Sequence, residues 1–171
     1  MVSIRPEEPR DYAEVRALNL AAFDDGPEAG LVDTLGASWP DHVSLVAEDE
    51  GHVVGHILFT PIVVEGSGGS AHGMALAPMA VLPERQREGV GSLLVHRGLE
   101  IMRERSTPFV VVLGHPEYYP RFGFEPASRF GLRSQWDGVP EEAFMVKALQ
   151  LDAFPPGGGV AGYRPEFEVA M

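Results

Sequence analysis

Met79-Ala80-Val81-Leu82-Pro83-Glu84-Arg85-Gln86-Arg87-Glu88-Gly89-Val90-Gly91-Ser92-Leu93-Leu94-Val95 is the stretch on which the fold turns. It begins as an apolar run that reads as a buried strand. A short polar loop follows, closed by Gly89 and Gly91. Beyond it the period changes to that of a helix, with Val90, Leu93, Leu94, Arg97, Gly98 and Ile101 recurring at steps of three and four. A strand, a glycine turn and a helix start in that order make an anion site. The first N–H groups of the helix have no carbonyl of their own, and the helix dipole favours negative charge there. Glycines let a phosphate approach the backbone that a side chain would hold off.

Working outward, Ser3-Ile4-Arg5 is a short strand ended by Pro6, and Pro9 sits in the first turn of a helix whose apolar stripe is Tyr12, Val15, Leu18 and Ala22. A second helix carries Leu31, Val32 and Leu35. Val43 to Glu48 and His52 to Val64 read as strands joined by an Asp49-Glu50-Gly51 turn. Glu65 to Ser70 is a Gly/Ser-rich connection, and no lysine follows its glycines as a nucleotide-binding loop would require. Ala71 to Leu82 is a strand interrupted by Pro78, which removes a ladder donor. The helix runs from about Gly89 to Arg105, and Phe109 to Leu113 is continuously apolar, as in a strand covered on both faces. Glu117 to Phe122 is a helical turn, Arg129 to Pro140 is loop, and Phe144 to Leu151 is a last strand. Residues 152–171 form a linker and an extended C-terminal tail of a single domain spanning 1–171. The order β-α-α-β-β-β-α-β-α-β implies an α/β protein, with a mixed sheet and helices on both faces.

The composition bounds the function. At 171 residues, 44% hydrophobic and 22% charged, the chain is that of an ordinary globular protein. No apolar run approaches the ~20 residues of a membrane helix. The N-terminus has no apolar signal core, which suggests a cytoplasmic protein. With no cysteine, thiol nucleophiles, disulfides and thiolate metal sites are excluded. A net charge of −12 argues against nucleic-acid binding. The same charge either attracts a cationic substrate or only maintains solubility.

Gln86-Arg87-Glu88-Gly89-Val90-Gly91 matches the pattern Q/R-x-x-G-x-G/A, and Tyr119-Pro120-Arg121-Phe122-Gly123-Phe124 follows some thirty residues later with the form Y-x-x-x-G-F. Together with the element order, these motifs resemble the GCN5-related N-acetyltransferase (GNAT) superfamily. The segment Gly114-His115-Pro116-Glu117-Tyr118-Tyr119 is similar to one carried by a group of bacterial, mostly uncharacterised GNAT proteins.

The resemblance implies a GNAT-like acyl-CoA N-acyltransferase fold. Its central sheet is twisted and mostly antiparallel, with the fourth and fifth strands splayed apart. It implies acetyl-CoA as co-substrate and no metal. The pyrophosphate would lie on backbone N–H groups from Arg87 to Ser92, through Glu88, Gly89, Val90 and Gly91, beside Gln86. The pantetheine arm would run along Met79, Ala80 and Val81. The Met79 N–H would face the thioester oxygen. Tyr119, with Phe122 beside it, would either protonate the departing thiolate or pack under the cofactor. The family's frequent asparagine after the fifth strand is replaced by Gly114-His115-Pro116, which leaves that contact to His115 or to backbone. The side-chain charges of the loop, Arg85 and Arg87 against Glu84 and Glu88, nearly cancel, so the backbone must supply much of the field.

The general base is open between Glu48, His56, His72, His115 and a water chain. His52 and His56 would lie ~13 Å apart on a strand, too far to share a metal ion. The acceptor is a small-molecule or protein amine, and its pocket would draw on Asp24 to Pro40 and Arg129 to Pro140, where Asp33, Trp39 and Trp136 stand. Neither nucleic acid nor a membrane is an expected partner. The tail from Val160 would cover the site or pair with a neighbour in a homodimer. Two alternatives stand beside an N-acetyltransferase: a non-catalytic acyl-CoA-binding module, and an acyltransferase with a non-amine acceptor.

Overall fold

Two helices and nine strands are built by residues 1–22 and 41–163, the part of the chain described by a computed structural model. The expected second helix at Leu31 to Leu35 and the Asp24 to Pro40 segment lie outside these residues. The described residues fall into two compact units: Met1–Thr60 with Ala77–Ile101, and Pro61–Leu76 with Met102–Arg164. Strands β3 (His52–Gly66) and β4 (Gly69–Val81) contribute to both. No described helix is long and apolar enough to cross a membrane.

In the first unit, β1 (Ser3–Pro6) pairs antiparallel with β2 (Val43–Asp49), from Ser3↔Glu48 to Pro6↔Leu45. β2 pairs antiparallel with β3, with a register irregularity between Ala47 and Glu48. The β2–β3 turn places Glu50 at φ 51° and Gly51 at φ 83°. Two successive positive φ values suit the twist of a tight hairpin. Alternation sends Val46 and His56 to one face of this sheet and Ala47 and Gly55 to the other.

Helix α1 (Tyr12–Ala22) covers the first face, where Val15 and Leu18 cluster with Val46, Val53 and Ala80. The expected stripe is corrected at its first member. Tyr12 is 55% exposed, and Asn19 takes a fully buried place instead. Helical side chains lean toward the N-terminus, so the ring of the first helical residue projects past the contact with the sheet.

Helix α2 (Val90–Glu104) covers the other face, and β3 meets it with almost no intervening side chain. A Cβ on Gly55 would stand 2.9 Å from Val90 Cγ1 and 3.0 Å from Leu94 Cδ1. Gly98, one helical turn beyond Leu94, lies against the Phe59 ring, where a Cβ would overlap two ring carbons.

An arginine ties the start of the chain together. Arg5 on β1 donates to both carboxylate oxygens of Asp11 at 2.7 and 2.9 Å, and to Glu48 on β2 at 2.9 and 2.5 Å. Asp11 also accepts the Glu8 N–H at 2.8 Å, which fixes the 3₁₀ turn Pro9–Asp11 ahead of α1. The Arg5 hydrogen bonds hold the Asp11 carboxyl below its ordinary value, against the opposing effect of burial.

In the second unit, β4 pairs in parallel with β5 (Phe109–Leu113), from Met74↔Val110 to Leu76↔Val112. That register ends ahead of Pro78, although β4 continues to Val81. β5 pairs antiparallel with β8 (Phe144–Ala148), which also takes β6 (Glu125–Pro126). The fold is thus the expected mixed α/β one, mostly antiparallel, with a parallel β4–β5 step.

The Glu65 to Ser70 connection is a hairpin, as its Gly/Ser-rich sequence suggests, with only Ser67 and Gly68 between β3 and β4. Two segments differ from their sequence reading. The Arg129 to Pro140 loop contains β7 (Leu132–Ser134). The tail contributes β9 (Gly159–Gly162), which pairs with Val63–Glu65 of β3 on one side and in parallel with β7 on the other. Gly-Val-Ala-Gly has one β-branched residue, so little in its side chains marks a strand. Its backbone pairing holds it.

Two outcomes test this account. Gly98→Ala gains some helix propensity but overpacks against Phe59, and should lower the unfolding free energy by about 1–2 kcal/mol in urea denaturation. An unchanged midpoint would refute the close seating of α2. For Asp11, the folded value lies below the unfolded one. Its contribution is therefore complete above ~3.9, the unfolded value, and is lost as the pH falls through the folded value. Asp11→Asn should cost about 1–3 kcal/mol at pH 7 and flatten the stability loss below roughly pH 4. Wild-type and variant melts that run parallel from pH 7 to 3 would contradict this.

Candidate active site

The loop between β4 and α2 is anchored from outside. Arg85, at the end of the 3₁₀ turn Pro83–Arg85, donates to Glu88 at 2.6 Å and to Asp49 at 3.0 Å. Asp49 also receives the Met1 ammonium at 3.0 Å. These partners raise the Arg85 pKa and lower that of Asp49. The Gln86 side-chain amide turns back to the Val81 carbonyl at 3.2 Å.

Arg87 then adopts φ 66° and Gly89 φ 88°. Nothing lies within 4 Å of where a Gly89 side chain would begin. The first helical backbone bond is donated by Leu93 to the Gly89 carbonyl at 3.1 Å. The N–H groups of Val90, Gly91 and Ser92 precede it and have no helical carbonyl to reach. Open space, orphan donors and the positive end of a helix coincide here; Arg85 is already engaged by two carboxylates, and Arg87 stands in the loop itself. The arrangement can hold a phosphate chiefly through the backbone.

Upstream of the loop, Met79 and Val81 are half-buried, while Ala80 is buried in the α1 cluster. The Leu82 N–H donates to the Val54 carbonyl at 3.0 Å, which fixes the end of β4 against β3.

In the second unit, Tyr119 opens the 3₁₀ turn Tyr119–Phe122 and is 7% exposed. Its ring meets Tyr118 edge-on at 5.1 Å and Phe124 at 5.8 Å, with Phe122 at 6.4 Å. A Cβ on Gly114 would stand 2.5 Å from the Tyr119 ring, so that glycine makes room for it. Burial, with Tyr118 adding to it, pushes the Tyr119 phenol well above its ordinary value. Tyr118 is only half-buried and carries the Arg121 guanidinium over its face at 4.5 Å.

The four candidate bases are in dissimilar surroundings. Glu48 is held by Arg5. His72 and His115 are exposed. His56 is completely buried, so it touches no acceptor directly. His52 is exposed and 3.7 Å from Glu14, in surroundings unlike those of His56. Of the acceptor-pocket residues, Trp136 packs on Tyr163 with ring centroids 4.6 Å apart; Asp33 and Trp39 lie outside the described residues.

A profile of the acetyltransferase (GNAT) domain matches residues 3–127. The chain is 38% identical over 165 residues to the uncharacterised N-acetyltransferase YhbS of Escherichia coli, covering 96% of this chain and 97% of that protein. The chain belongs to the GNAT acetyltransferase family. It is therefore an acyltransferase by family. The crystal structure of E. coli YhbS in complex with CoA superposes with a TM-score of 0.87, at 35% identity over 98% of this chain and 92% of that one. A GNAT acetyltransferase from Brucella melitensis in complex with acetyl-CoA gives 0.77, at 33% identity and 98% coverage of both chains.

Sequence reasoning missed one polar cluster in this GNAT chain. His56 Nε2 lies 2.9 Å from Ser44 Oγ and 3.7 Å from Glu7 Oε2, and Ser44 donates to Glu7 in turn. On the other side of the ring, Asn19 Nδ2 lies 3.4 Å from His56 Nδ1 while donating to the Val15 carbonyl at 2.9 Å. With that amide orientation, a polar chain runs from Asn19 through His56 and Ser44 to Glu7. A signal was present: Asn19 is four residues after Val15, and Ser44 alternates with Val46, so both stand at core-facing positions.

Proposed function

We propose that the chain is an N-acetyltransferase that moves acetyl from acetyl-CoA directly to a primary amine of a small molecule or a protein. The observation that carries this reading is the open, backbone-lined start of α2, together with relatives of at least 33% identity crystallised with CoA or acetyl-CoA. The residues fit the pyrophosphate: the N–H groups from Arg87 to Ser92 would hold it, and Gly89 leaves the approach free. Gln86 serves this site indirectly, by fixing the Val81 carbonyl at the mouth of the loop.

The co-substrate supplies an acetyl thioester. Met79, Ala80 and Val81 would hold its arm by strand-like backbone pairing, which is open to β4 beyond the β5 register. The Met79 N–H would donate to the carbonyl oxygen as it gains charge. Tyr119 would give its proton to the leaving sulfur, with Phe122 packing beside it. Its raised pKa keeps that proton in place at ordinary assay pH. With no cysteine to carry an acetyl group, transfer passes directly to the amine. An amine of pKa ~10 must first lose a proton. Since His56 is sealed and Glu48 is engaged by Arg5, its first acceptor would be water or one of the exposed imidazoles, His72 and His115.

Gly89→Glu and Gly91→Glu should each weaken acetyl-CoA binding by about 10-fold or more, through charge and bulk at the helix start. Calorimetry showing wild-type affinity in both would remove the loop from the site. Tyr119→Phe keeps the ring packing and should lower kcat by roughly 100-fold, with acetyl-CoA affinity nearly unchanged. Undiminished turnover would exclude Tyr119 as the acid. Tight acetyl-CoA binding without CoA release across a broad amine panel would instead favour a binding module.

A further inference from the structure

The polar cluster behind α1 opens onto a pocket within the first unit. Glu7 follows β1 and stays paired to β2, its N–H donating to the Ser44 carbonyl at 3.0 Å. Its side chain is only 10% exposed. Ser44 and His56 both approach Oε2; Oε1 accepts no hydrogen bond from the described residues. Burial alone would raise this carboxyl, but the bonds from His56 and Ser44 outweigh it and hold it below its ordinary value. Glu7 therefore stays ionised, held by Ser44 and His56.

Glu7 and Ser44 form one wall of a pocket of about 340 Å³ within the first unit. Pro6, Leu45 and Ile101 supply apolar surface, and the exposed Tyr12 ring stands at its edge, with His42 also lining it. A nearly buried carboxylate with one oxygen that no described residue uses, beside apolar walls, is complementary to a cation on a short carbon chain. The net charge of −12 draws cations toward it. A metal ion fits poorly, since no three His, Asp or Glu side chains converge among the described residues.

We propose that this pocket binds a small aliphatic ammonium, its charge against Glu7 Oε1 and its chain against Leu45 and Ile101. Tyr12 adds a ring face within reach of the cation, and Ser44 and His56 hold the carboxylate in place. This binding does not depend on the acetyl-transfer reading.

Titration of the full chain with n-butylammonium chloride, followed by calorimetry and by NMR of the His56 ring, tests it. Saturable binding in the millimolar range is the expected result, with none for butan-1-ol. Glu7→Gln, which can still accept from Ser44, should weaken butylammonium binding by about 10- to 100-fold. Ile101→Trp fills the pocket with Glu7 intact and should also abolish binding. Acetyl-CoA affinity, measured separately, should stay at the wild-type level in both variants. Equal binding of butan-1-ol, wild-type affinity in Glu7→Gln, or no saturable binding to the wild type would overturn the proposal. Loss of acetyl-CoA binding in Gly89→Glu leaves this result untouched, so the two readings fail separately.

Discussion

The seating of α2 on β3 is the contact from which the rest follows. Two glycines, Gly55 on the strand and Gly98 on the helix, remove the side chains that would otherwise hold the two elements apart. Val90 and Leu94 then press on Gly55, and the Phe59 ring fills the space above Gly98. A helix seated at two points along its length has little freedom to slide or tilt. Its N-terminus is therefore fixed, and with it the loop that leaves β4. Interiors packed to native density transmit such constraints without much relaxation.

The loop gains its chemistry from what is already engaged. Arg85 is shared between Asp49 and Glu88, so its charge stabilises the loop and is partly neutralised for a ligand. What remains, beside Arg87, is a set of backbone donors in a fixed geometry. Such donors need no side-chain ordering when an anion arrives, which limits the entropy lost on binding. The same logic, with the sign reversed, applies at Glu7. There the fixed partners are a hydroxyl and an imidazole, and the charge left over is negative. The first unit thus carries an electropositive backbone site and an electronegative side-chain site.

The long-range plan was legible because it rests on periodicity. The strand-to-helix change at Leu82 to Val90, the apolar run at Phe109 to Leu113 and the motif around Tyr119 all signal through side chains. The parts that were not legible are held by backbone or by single polar contacts. β7 and β9 pair through main-chain bonds across Gly159 and Leu132, with few β-branched residues to announce them. Tyr12 fits the helical stripe by number, yet its place at the first helical residue takes it out of the core. The Glu7, Ser44, His56 and Asn19 cluster draws on four separated segments. Each residue alone looks like an ordinary polar one, and only their convergence makes a network.

The position of β9 has a consequence for how the chain is made. Val63–Glu65 of β3 find a partner in Val160–Gly162, nearly a hundred residues later. During synthesis, that edge of β3 must wait until residues 160–162 have emerged. A ribosome adding about 5–20 residues per second leaves it open for several seconds. An unpaired strand edge is a template for unwanted pairing, and local defences matter most in that interval. Glu65 on the waiting strand, and the glycines that flank it at Gly66 and Gly68, weaken its appeal to another chain. The last of the described strands is thus the one that closes this edge.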